Sequence, residues 1–520
     1  MNDVPDGLTM DTEVVVIGSG IGGSVTAGRL AEAGLKVTVL ERGPWWDTVP
    51  TRSAGIENRA KLPRGFKLFY RAVRSISLPW LPADRLTLNK TGLFDLYFSK
   101  GMEVVCASGV GGGSHVYSAV HRRPQKDDYW DGHYVDLDES TMKPFYERFI
   151  QRVGSQKPGA DNRPPHTALE VFVNDTHFVP AIPKVDSRVG FLLPEKSYEH
   201  KLVHSDETIQ RWQADYNSDD HGFLGAPSGS KSSMDIVYLL PGMKKGLNVQ
   251  DLCEVQYIRR VEGKRHRFEV IYKDLRNNTL QTLSADHVFV GAGTMNTLRL
   301  LLASRDKYKA LTGMPGLGRR FSGNGDIRGF WDLNDKTRDF TKGLPSKGGI
   351  LLKDNPHGDI VIGRNGLPSL SHYPFPSFVL NRLRHGMVVS GMGIDAMDGV
   401  ASIRNGRFRI DFDPSNSPIY EQIKKTMKDV SAASGHRIYA TRRPSTVHPL
   451  GGACVGRLED DGVVASNGEV HGIPGLFVVD AAALPEPVGA GPSMTIGAWA
   501  ENVASRFLDK AGQSAVDLNG

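Results

Sequence analysis

The chain has 520 residues, 39% of them apolar and 23% charged, enough to bury a large core and to fill two to four domains or one large two-domain enzyme. Its 63 basic and 58 acidic residues leave a formal charge of +5, too mild over this length to argue for a nucleic-acid partner. Glycine is the outlier: 58 residues with no G-X-Y period and no Gly/Ser linker. That excludes collagen-like and low-complexity chains and points to backbone that must approach something closely. Cys106, Cys253 and Cys454 lie far apart with no C-x-x-C, which argues against a disulfide framework and against a thiolate zinc site. No apolar run is long enough to cross a membrane, and no basic segment followed by an apolar one opens the chain. The expected location is therefore a reducing, cytoplasmic compartment.

From the N-terminus, Glu13-Val14-Val15-Val16-Ile17 reads as a buried parallel strand. Gly18-Ser19-Gly20-Ile21-Gly22-Gly23 follows, then apolar residues at helical spacing, Gly34 as a C-terminal stop, and a second strand, Val37 to Leu40, ending in Glu41. This is a strand–turn–helix–strand unit with G-x-G-x-x-G at Gly18, Gly20 and Gly23. Gly18 makes the tight turn, Gly20 lets backbone approach a pyrophosphate, and Gly23 lets the helix pack on the strand. The helix N-terminus supplies free N–H groups for the pyrophosphate. Glu41 stands at the offset of an acid that accepts from the adenosine ribose hydroxyls. FAD and NAD both use this unit. Its place at the head of the chain, with later segments returning to the same site, favours FAD, while Arg42 is the residue that would suit a 2′-phosphate.

Three more glycine clusters follow. Gly109-Val110-Gly111-Gly112-Gly113-Ser114 offers a row of backbone amides suited to a phosphate or a flat ring. His287 to Val290, Gly291-Ala292-Gly293 and the leucines from 298 to 302 read as strand, turn and helix. Gly475 to Asp480 reads as a strand ending in a carboxylate able to hold ribityl or phosphate-linked hydroxyls. Val488 to Ser493 then leads into a helix from about Met494 to Ala511, with Pro492 suited to its entry.

This ordered set resembles the glucose–methanol–choline (GMC) family of FAD-dependent oxidoreductases, in particular its bacterial cholesterol-oxidase-like branch. The matching pieces are GSGIGG with Glu41, GVGGGS at 109–114, GAGT at 291–294, GNGD at 323–326, HPLGG at 448–452 and GLFVVDAAALPEPVG at 475–489. The resemblance implies an α/β fold, with a Rossmann-like FAD domain and a discontinuous α+β substrate domain carrying an antiparallel sheet. The FAD domain is expected at 10–45, 100–165, 228–325 and 445–512, and the substrate domain at 46–99, 166–227 and 326–444. Alternation around Met387 to Ile403 and from Phe408 to Phe412 fits strands of that sheet. Cofactor contacts are expected at Gly18, Gly20, Ile21, Gly23, Glu41, Arg42, Gly109, Gly111, Gly112, Gly113, Ser114, Val255, Gly291, Ala292, Gly293, Asp480, Ala481, Pro492, Ser493 and Met494.

The family moves a hydride from an alcohol carbon to flavin N5 while the hydroxyl proton leaves to a base. His448 matches the family's active-site histidine. Three partners depart from the pattern. The asparagine that relatives place before proline is Gly491, the tyrosine before the histidine is Val447, and no carboxylate stands in Phe378 to Gly386. Two activities follow. One is oxidation of a hydroxyl to a ketone on a hydrophobic sterol- or terpenoid-like substrate. The other is flavin-dependent, redox-neutral double-bond isomerisation, or desaturation, beside a ketone on a steroid-like substrate. Tyr117 and His115 are supplementary proton-donor candidates. Basic and aromatic residues mix at 57–100 and again at 373–387, a pattern of peripheral membrane contact or of a lid over an apolar cavity.

Overall fold

The computed structural model describes residues 10–517 except 82, 160, 163–178, 183–187 and 354. Residues 166–178 and 183–187 of the expected substrate domain thus lie outside the described residues.

Val14, Val15 and Val16 are fully buried because their strand, Met10–Ile17, sits in the middle of a sheet covered on both faces. The sheet runs in the order Asn248–Gln250, Val37–Leu40, Met10–Ile17, Thr279–Val290, Phe268–Asp274 and Cys253–Arg260, with Leu476–Val478 also pairing with Thr279–Val290. The strands from Asn248–Gln250 to Thr279–Val290, and Leu476–Val478, pair in parallel. Phe268–Asp274 and Cys253–Arg260 add an antiparallel flank. Helix Ile21–Glu32 packs against the C-terminal helix, which begins at Ser493, one residue before the expected start, and continues past the expected end at Ala511 to Asp517.

A second sheet is antiparallel throughout, in the order Val179–Ile182, Ser346–Leu352, Ile360–Asn365, Met387–Met392, Ile327–Trp331 and Ile438–Ala440. Side chains alternate between its faces. Ile327, Ile350, Ile362 and Val389 pack into one core with Ile423 and Met427 of the helix Ile419–Ser434. A β-carbon on Gly391 would lie 2.2 Å from Ile423 Cγ2, so the helix rests directly on this face. Arg328, Ser390 and Gly363 pair across neighbouring strands and belong to the opposite face.

Two expectations are revised. Val400–Arg404 and Arg407–Asp411 form strands, but they pair only with each other across a turn at Asn405-Gly406, and the Ala401 N–H is tied to Gly318 O at 2.7 Å rather than to the sheet. Alternation predicts a strand without naming its partner. Secondly, the boundary expected after residue 99 falls between Phe94–Phe98 and Glu103–Ala107, which pair antiparallel within a five-stranded sheet, so that sheet bridges the two sets of segments. Among the described residues no helix is long and apolar enough to cross a membrane.

Candidate flavin and catalytic site

Three glycine turns meet at the carboxyl ends of the parallel strands. Gly18 has φ +89°, and a β-carbon there would lie 2.6 Å from Ala292 Cα and Gly291 O. Gly112 has φ +55°, and its β-carbon would lie 2.6 Å from Gly20 Cα. The turns at 18–23, 109–114 and 291–293 therefore close on one another as bare backbone. Gly18, Gly20, Glu41, Arg42, Gly112, Gly113, Val255, Gly291, Ala292 and Gly293 line a cavity of about 370 Å³. The helices Ile21–Glu32 and Thr294–Leu302 begin at Gly20 and Gly293 with no side-chain cap and no acid in the first turn, which leaves N-terminal N–H groups for an anion. This cradle fits the adenosine-diphosphate half of FAD.

The charged residues here are busier than their positions in the sequence suggest. Glu41 Oε2 accepts from the Ser19 N–H (2.9 Å) and hydroxyl (2.7 Å), and Oε1 from the Gly43 N–H (2.7 Å). The acid thus ties the first glycine turn to the chain after its own strand, and only its remaining lone pairs are open to ribose hydroxyls. Arg42 is paired with Asp95 and donates to Ser108 Oγ at 2.7 Å, so its charge is already matched inside the protein. Asp480 differs most from expectation. Its Oδ2 accepts from the Gly293 N–H (2.8 Å) and the Thr297 hydroxyl (2.5 Å), and Oδ1 from the Ala482 N–H (2.9 Å). It braces the third glycine turn against the C-terminal strand. Burial pushes its carboxyl up to about 6 against the pull of those hydrogen bonds.

His448 lies between two partners contributed by distant segments. Its Nδ1 is 2.8 Å from Asp326 Oδ2, and its backbone N–H donates to Thr446 Oγ1 at 2.7 Å. On the other side, a β-carbon on Gly491 would lie 3.9 Å from His448 Nε2, with nothing else so near. Residue 491, where the resemblance leads to the expectation of an asparagine, thus faces the histidine. Ala481, Pro492, Ser493 and Met494 are buried around the same C-terminal turn, where Gly491 is half-buried, while Val447 is half-exposed.

The expected proton donors are placed otherwise. The Tyr117 hydroxyl donates to Ser232 O at 2.8 Å, and burial raises its phenol above the ordinary range. His115 is 3% exposed, with Nε2 2.7 Å from Val110 O and 3.4 Å from Asp235 Oδ1. Both serve the packing behind the 109–114 turn.

Sequence reasoning missed the side chains of the GNGD turn. Asn324 Oδ1 accepts from the Val488 and Gly489 N–H groups, each at 2.9 Å, and its Nδ2 donates to Ala490 O at 2.8 Å. Asp395 holds the turn from behind, accepting from the Ser322 hydroxyl (2.7 Å), the Gly323 N–H (3.0 Å) and the Tyr420 hydroxyl (2.8 Å). The motif itself was the available signal; what it touches was not.

Comparison with known proteins agrees with this geometry. A family model described as FAD dependent oxidoreductase matches residues 13–136, and one described as GMC oxidoreductase, for the C-terminal domain, matches residues 390–500. A cholesterol oxidase of Mycobacterium tuberculosis (strain ATCC 25618 / H37Rv) is 25% identical over 96% of this chain and 92% of its own. A cholesterol oxidase of Acinetobacter baumannii is 23% identical over 95% of this chain and 94% of its own. A solved fungal aryl-alcohol oxidase shares the fold, with a TM-score of 0.57 at 15% identity, over 97% of this chain and 100% of its own. The chain is an FAD-dependent oxidoreductase with a GMC oxidoreductase C-terminal domain, similar over nearly all its length to proteins named cholesterol oxidase.

Proposed function

We propose that the chain oxidises a hydroxyl group to a ketone on a hydrophobic, sterol- or terpenoid-like substrate, with His448 as the base. When bound, FAD supplies the acceptor for the hydride that leaves the alcohol carbon. The 18–23, 109–113 and 291–293 turns would hold its phosphates and adenosine. The observation that carries the reading is the aim of His448: Nδ1 is anchored on Asp326, and Nε2 faces the space over Gly491. A base must reach the hydroxyl proton in a plausible pose, and only Nε2 is free to do so. The missing side chain at 491 favours a second reading, redox-neutral double-bond isomerisation or desaturation beside a ketone, which needs a proton carrier but no alcohol-binding pair.

Anaerobic mixing with a panel of hydroxysteroids, ketosteroids and terpenoid alcohols separates the two. Flavin bleaching with loss of two hydrogens from an alcohol supports oxidation, and the same change starting from a ketosteroid supports desaturation. A ketosteroid product of unchanged mass without net bleaching supports isomerisation. Full activity of His448→Ala would overturn the role given to that residue in both.

The substrate is proposed to arrive from an anionic lipid surface. The two basic-aromatic stretches meet: Phe69 and Phe375 have ring centroids 6.5 Å apart, Tyr373 stacks on Phe375 at 5.7 Å, and Tyr373 also packs in a small apolar cluster with Leu68 and Leu224. Phe66 is 96% exposed and Phe378 75%, with Lys61 and Lys67 exposed nearby in sequence. Aromatic side chains that enter the headgroup region beside lysines are the pattern of a docking face. Flotation with phosphatidylserine vesicles should be strong for the native chain and weak for Phe66→Ser/Phe378→Ser. Equal flotation of both would sink the assignment.

A further inference from the structure

The histidine's other nitrogen carries information that the sequence pattern does not. Asp326 closes the 323–326 turn, is 3% exposed, and leads straight into the strand Ile327–Trp331. Its Oδ2 accepts from the Thr446 hydroxyl and lies against His448 Nδ1, both at 2.8 Å. The Thr446 oxygen accepts the His448 backbone N–H at 2.7 Å, so the hydroxyl hydrogen is directed to the carboxylate. An ionised carboxylate only accepts, which places the imidazole hydrogen on Nδ1 and leaves the Nε2 lone pair toward Gly491. Among the described residues the only ion pair of Asp326 is this one. Arg328, two residues along on the same face, feels the charges of Asp326 and Glu103 but is not within ion-pair distance of either, and its Nη2 is buried without a partner. The carboxylate charge is therefore available to the histidine.

We propose that Asp326 is a positioning residue whose negative charge lets His448 act alone. The inference rests on His448 being the base of the proposed reaction. In that step the substrate O–H bond breaks and an Nε2–H bond forms. The imidazole becomes an imidazolium, and the His448–Asp326 pair passes from one negative charge to none. The C–H electrons would leave as hydride, for which bound FAD would supply the acceptor, and the C–O bond would become C=O. The group at 491 that would share the developing charge in relatives is absent, and the charge at 326 takes over that load from the far side of the ring. An amide at 326 would satisfy the same two donors without the charge, which makes Asp326→Asn the informative variant.

Two measurements test this, one of them independent of substrate. Nitrogen-15 NMR of histidine-labelled protein, with His448→Ala to assign the ring, should show the hydrogen on Nδ1 in the native chain and in Asp326→Asn, and a mixture of tautomers in Asp326→Leu. A native chain with the hydrogen on Nε2 would overturn the proposal. In anaerobic flavin reduction by a 3β-hydroxysteroid, Asp326→Asn should slow the rate constant about 10- to 100-fold with little change in apparent KM, and Asp326→Leu about 10³-fold or more. Native-like reduction by Asp326→Asn would refute the role of the charge, even if the leucine variant fails to fold. If no hydroxysteroid reduces the native flavin, the oxidation reading fails, while the NMR result still stands or falls by itself.

Discussion

A β-carbon placed on residue 491 would stand 3.9 Å from His448 Nε2, in ordinary contact with the one ring nitrogen free to work. Gly491 thus sets the volume available in front of the proposed base. Gly491→Asn should fold, since its backbone is not in the left-handed region and only His448 lies near. It should also change turnover by about tenfold or more, against a melting temperature within a few degrees of native. Unchanged kcat and KM in this variant would show that the space over Gly491 is not where chemistry occurs.

Asn324 is the acceptor for two buried N–H groups, those of Val488 and Gly489. Asn324→Ala leaves both unpaired, at a cost of about 1–3 kcal/mol each. Chemical denaturation should report a loss on the order of 2–5 kcal/mol together with faster FAD release. A loss below about 0.5 kcal/mol would mean the 488–491 turn is held by other contacts.

Gly112 allows the second glycine turn to lie against the first. Gly112→Ala puts a β-carbon 2.6 Å from Gly20 Cα at a φ of +55°, so one turn must move away. The expected outcome is a protein purified largely without flavin, measured as the ratio of absorbance at 450 nm to that at 280 nm, the former a flavin-specific band of about that wavelength. Full flavin content would show that the turns can separate without harm.

Lys231 is buried with its ammonium donating to His115 O and Gly222 O, each at 2.9 Å, and burial pushes it down to about 7 from 10.5. Between those values the unfolded chain holds the proton and the folded chain has released it, so stability rises with pH across that window. Below about 7 the cost of burying the charge is felt in full. Lys347 behaves alike, its burial also depressing it to about 7. Unfolding free energy should therefore increase from pH 7 toward 10, by up to several kcal/mol in order of magnitude. Lys231→Met should remove roughly its own share of that slope. Parallel slopes for native and variant chains would refute the assignment.

The first strand–turn–helix–strand unit was legible because its information is local: Val14 to Ile17, the glycines and the helix spacing all lie within one stretch of chain. The same holds for the 291–293 turn and the C-terminal helix. What could not be read was the destination of polar side chains. Glu41 has the offset of a ribose acceptor, yet it spends much of its capacity on Ser19 and Gly43. Asp480 has the position of a ligand acid but braces Gly293 and Thr297. The meeting of Asp326 with His448 spans 122 residues and depends on how the strand Ile327–Trp331 leaves the turn, which no spacing rule encodes. Resemblance located the histidine and the glycine opposite it; it did not supply the carboxylate behind.

The turn at 323–326 grips the 488–490 backbone through Asn324 and the histidine ring through Asp326, and then becomes a strand of the antiparallel sheet. The proposed base and the turn opposite it are thus held by one short piece of chain. A substitution confined to the sheet's outer strand Val179–Ile182 therefore leaves in place every hydrogen bond by which 323–326 holds the histidine and the turn facing it.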